Sequence, residues 1–252
     1  MPAKRIIPSM LLSNGRLVKG KAFKQHEDAG NPVTTARIYN DQMADELSII
    51  DIEATPNNRE PDIESLQQLS KRCFIPISFG GGINSIEIAA RVMKAGADKI
   101  IINQAGFNDM QFINRLSAIF GKQAIVFAID YTKTSNGERV MTRAGKEITE
   151  IPPLDLAKKA ETMGAGELML TYIDHEGTRL GPDIDTIRAI SGKIKIPLIA
   201  NGGIGDLDDF VKILVETDAS AVAAGRILQF ADNNLIKVRR YIQSKGILLA
   251  TH

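Results

Sequence analysis

Phe79-Gly80-Gly81-Gly82-Ile83 and Ala200-Asn201-Gly202-Gly203-Ile204 are two glycine turns that lie 121 residues apart. The same shift carries Ile75-Pro76 onto Ile196-Pro197, Pro61-Asp62-Ile63 onto Pro182-Asp183-Ile184, and Glu46-Leu47 onto Glu167-Leu168. One constant offset across so many segments marks a half that is present twice. Neither half carries a linker of its own, so residues 1–252 read as a single domain, with half-repeats of about 1–122 and 123–252. A scaffold built twice predicts two equivalent binding sites.

Around the turns, short apolar runs alternate with longer amphipathic ones. The strand candidates are 5–11, 46–52, 76–80, 99–103, 124–130, 167–173, 197–201 and 220–224. Most are rich in Ile, Leu, Val or Ala without clean alternation, as parallel strands covered by helices should be. Helices are expected between them. Asn31-Pro32 offers a cap followed by proline, and Pro61-Asp62 and Pro182-Asp183 open two more. Eight strand–helix pairs in this length predict an α/β fold, a (β/α)8 TIM barrel with a two-fold internal repeat. A doubly wound sheet would not explain the duplication. Two long connections, 13–30 and 131–152, follow the first and fifth strands. The second is expected to hold a small hairpin near Ala144-Gly145.

Composition narrows the function. Lys and Arg number 31 against 30 Asp and Glu, a balance that argues against a general nucleic-acid or membrane-surface role. The sole cysteine, Cys73, excludes an intrachain disulfide and fits a cytoplasmic location. It falls in an expected outer helix, where packing is its more natural role than chemistry. Residues 1–12 are too short and too polar for a signal peptide or a membrane span. His26, His175 and His252 show no metal-ligand spacing, and neither a metal nor a cofactor is expected.

Three groups of residues carry candidate chemistry. Each glycine turn lies at a strand end just before a helix, where backbone N–H groups can approach an anion. The next strand of each half ends in Asn103-Gln104 or Ala224-Gly225. A ligand with two phosphate ends is therefore expected at Gly81, Gly82, Asn103, Gln104, Gly202, Gly203, Ala224 and Gly225. The plainer alternative is that the glycines merely permit tight turns. Asp130 closes an apolar strand at the end where barrel chemistry sits, and suits proton transfer; a structural cap is the alternative. Arg5, Glu46, Lys99 and Glu167 stand at strand starts, where they form either a neutralising ring on the barrel floor or four solvated charges.

These segments together resemble the HisF family, the cyclase subunits of imidazole glycerol phosphate synthase. The resemblance rests on Lys4-Arg5-Ile6-Ile7, Gly15-Arg16-Leu17-Val18-Lys19-Gly20, Asp45-Glu46-Leu47, Gly80-Gly81-Gly82-Ile83, Gly96-Ala97-Asp98-Lys99, Ala128-Ile129-Asp130, Gly164-Ala165-Gly166-Glu167 and Gly202-Gly203. It implies a HisH-like class I glutaminase docked on the floor, with its ammonia passing through the barrel to a phosphorylated substrate at the mouth. Arg5, Glu46, Lys99 and Glu167 would be the ammonia gate. Asp98 would lie in the glutaminase interface, and Lys19 in a mobile catalytic loop over the mouth. The family pairs Asp130 with a second aspartate on the first strand. Here that position is Leu11. Asn14, Gln104 and Glu176 depart more mildly at the same end.

A retained floor beneath an altered mouth resembles the family branch associated with surface-polysaccharide genes. That branch implies delivery of ammonia to a separate sugar amidotransferase, which turns an acetamido group into an acetamidino group. The rivals are an authentic cyclase subunit of histidine biosynthesis and a non-catalytic barrel that only binds a phosphorylated ligand. A sister isomerase of the same pathway is disfavoured by the four-charge floor.

Overall fold

The computed structural model describes residues 3–229 and 233–250; His252 lies outside them. The strands in chain order are β1 (Arg5–Ser13), β2 (Arg16–Lys21), β3 (Lys24–Gly30), β4 (Leu47–Asp51), β5 (Ile77–Gly80), β6 (Lys99–Ile102), β7 (Ile125–Thr134), β8 (Gly137–Thr142), β9 (Glu147–Ile148), β10 (Glu167–Tyr172), β11 (Leu198–Asn201) and β12 (Ala221–Ala224). Eight of them pair in parallel in the order β10-β11-β12-β1-β4-β5-β6-β7, and β7 pairs back onto β10. The sheet is thus closed, with helices between successive strands: a (β/α)8 barrel.

The helices begin where the sequence places their caps. The Asn31 side chain accepts from the Thr34 N–H, Asp62 from Ser65, and Asp183 from Thr186. Each satisfies a backbone donor that the first turn leaves without an intrahelical partner. Asp206 and Asp209 form a reciprocal capping box on helix Leu207–Glu216. No helix among the described residues is long and apolar enough to cross a membrane.

The two long connections are built from strands. In 13–30, β1 runs on to Ser13, and β2 and β3 form an antiparallel hairpin on it. The segment after the fifth strand holds the expected hairpin, β8 with β9, and Ala144-Gly145 lies in its turn. A further turn precedes it, because β7 extends to Thr134 and pairs with β8. One expectation needs correction: Cys73 lies beyond the end of helix Ile63–Ser70, in the connection to β5, and is buried in the apolar core.

Because side chains alternate across a strand, every second residue faces the barrel axis. Along β1 these are Arg5, Ile7, Ser9 and Leu11. They follow Lys99, Ile101 and Asn103 on the fourth barrel strand and its end, and Glu167, Met169 and Thr171 on the sixth. The axis therefore reads in layers, with charge at the floor, hydrocarbon in the middle and mixed polarity at the mouth. The middle layer is a separate apolar cluster of Ile7, Ile101, Val126, Ala128, Met169, Ile199, Ala221 and Ala223. A second, larger core lies between strands and helices.

Candidate functional site

The four floor charges meet. Arg5 Nη1 lies 2.7 Å from Glu46 Oε2, and its Nη2 donates to Glu167 Oε1. Lys99 Nζ is 2.8 Å from Glu46 Oε2 and 2.8 Å from Glu167 Oε2. Cation and anion alternate in a closed ring, and the Ser78 hydroxyl donates to the remaining oxygen of Glu46. Burial alone would lower the Arg5 pKa, but Glu167 and Glu46 outweigh it and hold the guanidinium above its ordinary value. The reading of four solvated charges is excluded, since both carboxylates are almost wholly buried. Asp98 is exposed at this same end, where its Oδ2 accepts the Ile77 N–H at 2.8 Å.

At the opposite end a cavity of about 1030 Å³ is lined by Leu11, Asp130, Asn103, Gln104, Gly81 and Gly82, among others. Asn103 Nδ2 donates to Asp130 Oδ2 at 3.1 Å and to the Ala128 carbonyl at 3.0 Å. Burial pushes the Asp130 carboxyl up to about 7, against the lowering effect of hydrogen bonds from Thr171 and Asn103, with Glu176 adding like charge. A group with such a value exchanges protons readily near neutrality. Leu11 stands on the inner face of β1, paired with Ile50 on one side and Val18 on the other.

The glycine turns are equivalent in detail. A Cβ on Gly81 would come within 2.0 Å of the Asp51 carbonyl oxygen, and one on Gly202 within 2.8 Å of the Tyr172 carbonyl oxygen, its counterpart in the repeat. Gly82 and Gly203 also hold positive φ, of 70° and 88°. Backbone packing alone thus demands these glycines, whatever they bind. The two halves differ in what covers them. The first turn, with Asn103 and Gln104, faces the cavity. On the second side Lys19 lodges against Gly225, where a Cβ would stand 2.4 Å from its Nζ, and donates to the Ser9 carbonyl oxygen. Lys19 is therefore a buried residue of β2, packed into the second glycine site near Ala224-Gly225. Desolvation lowers its pKa to about 8, with Glu176 acting in the opposite sense. Ala22 N–H donates to the Glu176 carbonyl at 2.8 Å and holds the hairpin down.

The histidine biosynthesis protein family matches residues 5–233. The imidazole glycerol phosphate synthase subunit HisF of Dehalococcoides mccartyi strain 195 is 41% identical over 244 residues, 97% of this chain and 96% of its own. The protein of the same name from Chlorobium chlorochromatii is 39% identical over 247 residues, 98% of each chain.

The chain belongs to the HisF family.

Within this HisF-family mouth, Asp51, which lies outside the expected set, also lines the cavity. Asp51 ends β4 as an aspartate and is gripped by Arg59 at 2.7 and 2.8 Å and by the Asp62 N–H at 2.9 Å. Its place at a barrel strand's C-terminal end is the same signal that singled out Asp130. Gln104 ties the second hairpin to the mouth, accepting from the Arg143 N–H at 2.7 Å and donating to Asn108 Oδ1 at 2.8 Å. Among the described residues no group of three His, Cys, Asp or Glu is gathered to hold a metal.

The raised Asp130 value has a thermodynamic consequence. The folded chain keeps a proton up to about pH 7 that the unfolded chain releases near 3.8. The stabilisation is complete below the unfolded value and is lost as pH rises through the folded one. Asp130→Asn is expected to raise the melting temperature at pH 8, relieving about 4 kcal/mol at most, and to raise it far less at pH 4. Thermal melts at the two pH values check this; an equal shift at both would contradict it.

Proposed function

We propose that this HisF-family barrel is the ammonia-conducting synthase subunit of a glutamine-dependent amidotransferase. In this reading a HisH-like class I glutaminase docks on the floor beside Asp98, and ammonia passes the ring of Arg5, Glu46, Lys99 and Glu167. It then follows the apolar axis to the mouth. The observation that carries the reading is the contrast along that axis. The floor keeps a complete ionic ring, while Leu11 presents hydrocarbon to the cavity that holds Asp130. Leucine neither gives nor accepts a proton, so ring closure at the mouth would be weak or lost. The acceptor would then be bound by a third protein, a sugar amidotransferase forming an acetamidino group in surface-polysaccharide (lipopolysaccharide O-antigen) biosynthesis. The whole assembly would operate in the cytoplasm.

A second reading is favoured by the names of the relatives, each an imidazole glycerol phosphate synthase subunit. It makes the chain an authentic cyclase of histidine biosynthesis, with a phosphorylated substrate held at Gly81, Gly82, Asn103 and Gln104 and, once the hairpin carrying Lys19 moves, at Gly202, Gly203, Ala224 and Gly225.

The shared part of both readings is tested by capture of a HisH-like glutaminase on the purified barrel, followed by a glutaminase assay. Capture with a rise in glutamine hydrolysis is expected; absence of both would favour a barrel that only binds phosphate. Lys99→Ala opens one link on each side of the ring. It is expected to leave the fold and partner binding intact, while transfer of glutamine nitrogen to the acceptor falls at least several-fold relative to hydrolysis. An unchanged ratio of transfer to hydrolysis would count against the gate.

A further inference from the structure

Each half of the barrel serves as a control for the other, and at the rim of the mouth the two halves differ. In the first half, two ion pairs close the crevice between helices Ile63–Ser70 and Ile86–Lys94 at their N-terminal ends. Arg59 grips Asp51 at 2.7 and 2.8 Å, and Arg91 holds both carboxylate oxygens of Glu60 at 2.9 and 2.8 Å. The repeat offset carries Asp51 onto Tyr172, Arg59 onto Leu180, Glu60 onto Gly181 and Arg91 onto Lys212. The frame around these positions is kept: Asp62 and Asp183 cap one pair of helices, and Ser85 and Asp206 cap the other. The second half thus lacks both carboxylates and keeps a cation in Lys212. It adds another in Arg179, which stands in the place of Asn58. Here the crevice is open, with a volume of about 680 Å³, and is lined by Arg179, Leu180, Gly181, Asp206, Asp209 and Lys212, among others.

Neither cation is held as Arg91 is. Lys212 is half-exposed, and its Nζ reaches Asp209 Oδ1 only at 3.6 Å. The Asp209 and Asp206 carboxylates are committed to the helix cap: Asp209 Oδ2 accepts the Gly205 N–H at 2.8 Å, and Asp206 Oδ1 accepts the Asp209 N–H at 3.0 Å. Arg179 donates from Nε and Nη2 to the Gly205 carbonyl, at 3.2 and 2.9 Å, and has no carboxylate partner among the described residues. A Cβ on Gly181 would have Asp209 Oδ1, 4.0 Å away, as its nearest neighbour. The position that Glu60 fills in the first half is therefore vacant in the second.

We infer that this crevice takes the carboxylate of an acidic side chain from a partner protein docked on the rim of the mouth. The inference rests on the reading that a third protein receives ammonia at this end of the barrel. The first half supplies the chemistry: at the equivalent place a protein carboxylate bridges the turn and the helix, and a charge-assisted pair holds it. In the second half that carboxylate has to arrive from another chain. Leu180 replaces the charged Arg59 and is 71% exposed, so an apolar side chain is expected beside the acid. Asp206 and Asp209 repel a run of acids, which selects a single carboxylate rather than an acidic tract. The site is also close to the chemistry. The Gly181 N–H donates to the Gly203 carbonyl at 2.8 Å, joining the crevice to the second glycine turn.

The test uses the full chain and two probes, the peptide acetyl-Ala-Leu-Glu-Leu-Ala-amide and the proposed sugar amidotransferase. Backbone amide resonances of the isotope-labelled chain are followed as peptide is added, with the glutamine analogue of the peptide and sodium glutamate as controls. Saturable shifts at Gly181, Gly205 and Lys212 are expected with the glutamate peptide alone. Lys212→Gln should weaken binding about fivefold, the upper range for an exposed pair, and Lys212→Arg should keep it. Melting curves show that the variants fold. Equal shifts with the glutamate and glutamine peptides overturn the inference, as does binding that Lys212→Gln leaves unchanged. Sodium glutamate shifting these amides as strongly as the peptide overturns the assignment to a protein partner. In the second arm, capture of the amidotransferase by the unaltered chain and its loss with Arg179→Gln/Lys212→Gln support the inference. Equal capture by both overturns it and leaves the conduction reading intact. No capture by the unaltered chain overturns that reading instead, and the peptide then decides the crevice alone.

Discussion

Leu11→Asp is expected to raise ring-closing turnover with ammonium salt by about 10²–10⁴-fold, the range that one positioned acid or base typically contributes. In barrier height that is roughly 3–5 kcal/mol. The position suits the gain. Leu11 lies on the inner face of β1, bracketed by Ile50 and Val18, and lines the cavity that contains Asp130. An aspartate there would enter a space already shaped for a side chain of that reach, and would add a second proton-transfer group opposite the first. Steady-state formation of imidazole product at saturating ammonium checks the result. No change would mean that the remodelled surroundings, Gln104 and the Lys19-bearing hairpin among them, block the reaction independently of residue 11.

Glu46→Ala is expected to destabilise the fold by about 3 kcal/mol, near the low end of what breaking a buried ion pair costs. The side chain is only 3% exposed and receives Arg5, Lys99 and the Ser78 hydroxyl. Its removal leaves all three without a partner they now have. The two cations are each 20% exposed, so water would soften the loss and keep it from the top of the range. Glu46→Gln, which keeps the shape and can still meet Ser78, should cost clearly less. Urea denaturation midpoints at constant m-value measure both. A loss below about 1 kcal/mol, the level of a surface pair, would contradict the ring as described. Such rings are poor devices for stability, since buried ion pairs exchanged for well-packed hydrocarbon often leave a protein unharmed or stronger. Its place at the end of an apolar axis fits the proposed passage of ammonia, which the transfer ratio of Lys99→Ala tests.

Much of the fold was legible because its physics is local. The barrel strands are apolar runs with branched side chains, and their inward residues follow from a period of two. Once Arg5, Lys99 and Glu167 are placed at strand starts, Ile7, Ile101 and Met169 must lie above them on the axis. The helix caps at Asn31, Asp62 and Asp183 are equally local. The hairpin at 16–30 was not legible. Strand β3, Lys24-Gln-His-Glu-Asp-Ala-Gly, has five exposed residues in a row and no apolar face, so it carries no periodic signal and is held by its backbone pairing with β2. Nor does anything near Lys19 announce that a lysine will be buried; that depends on the carbonyl of Ser9 and the absent side chain of Gly225. The pairing of Asp51 with Arg59 likewise arises only when separate segments meet at the mouth.

One measurement puts both ends of the barrel to the test at once. The chain, complexed with the proposed glutaminase, is given glutamine and the phosphoribulosyl substrate, and glutamate and imidazole product are counted together. A floor that admits ammonia beneath a mouth short of one proton-transfer group predicts brisk glutamate formation with about one imidazole or fewer per hundred glutamates. Equal amounts of the two, formed at the same rate, would contradict the account.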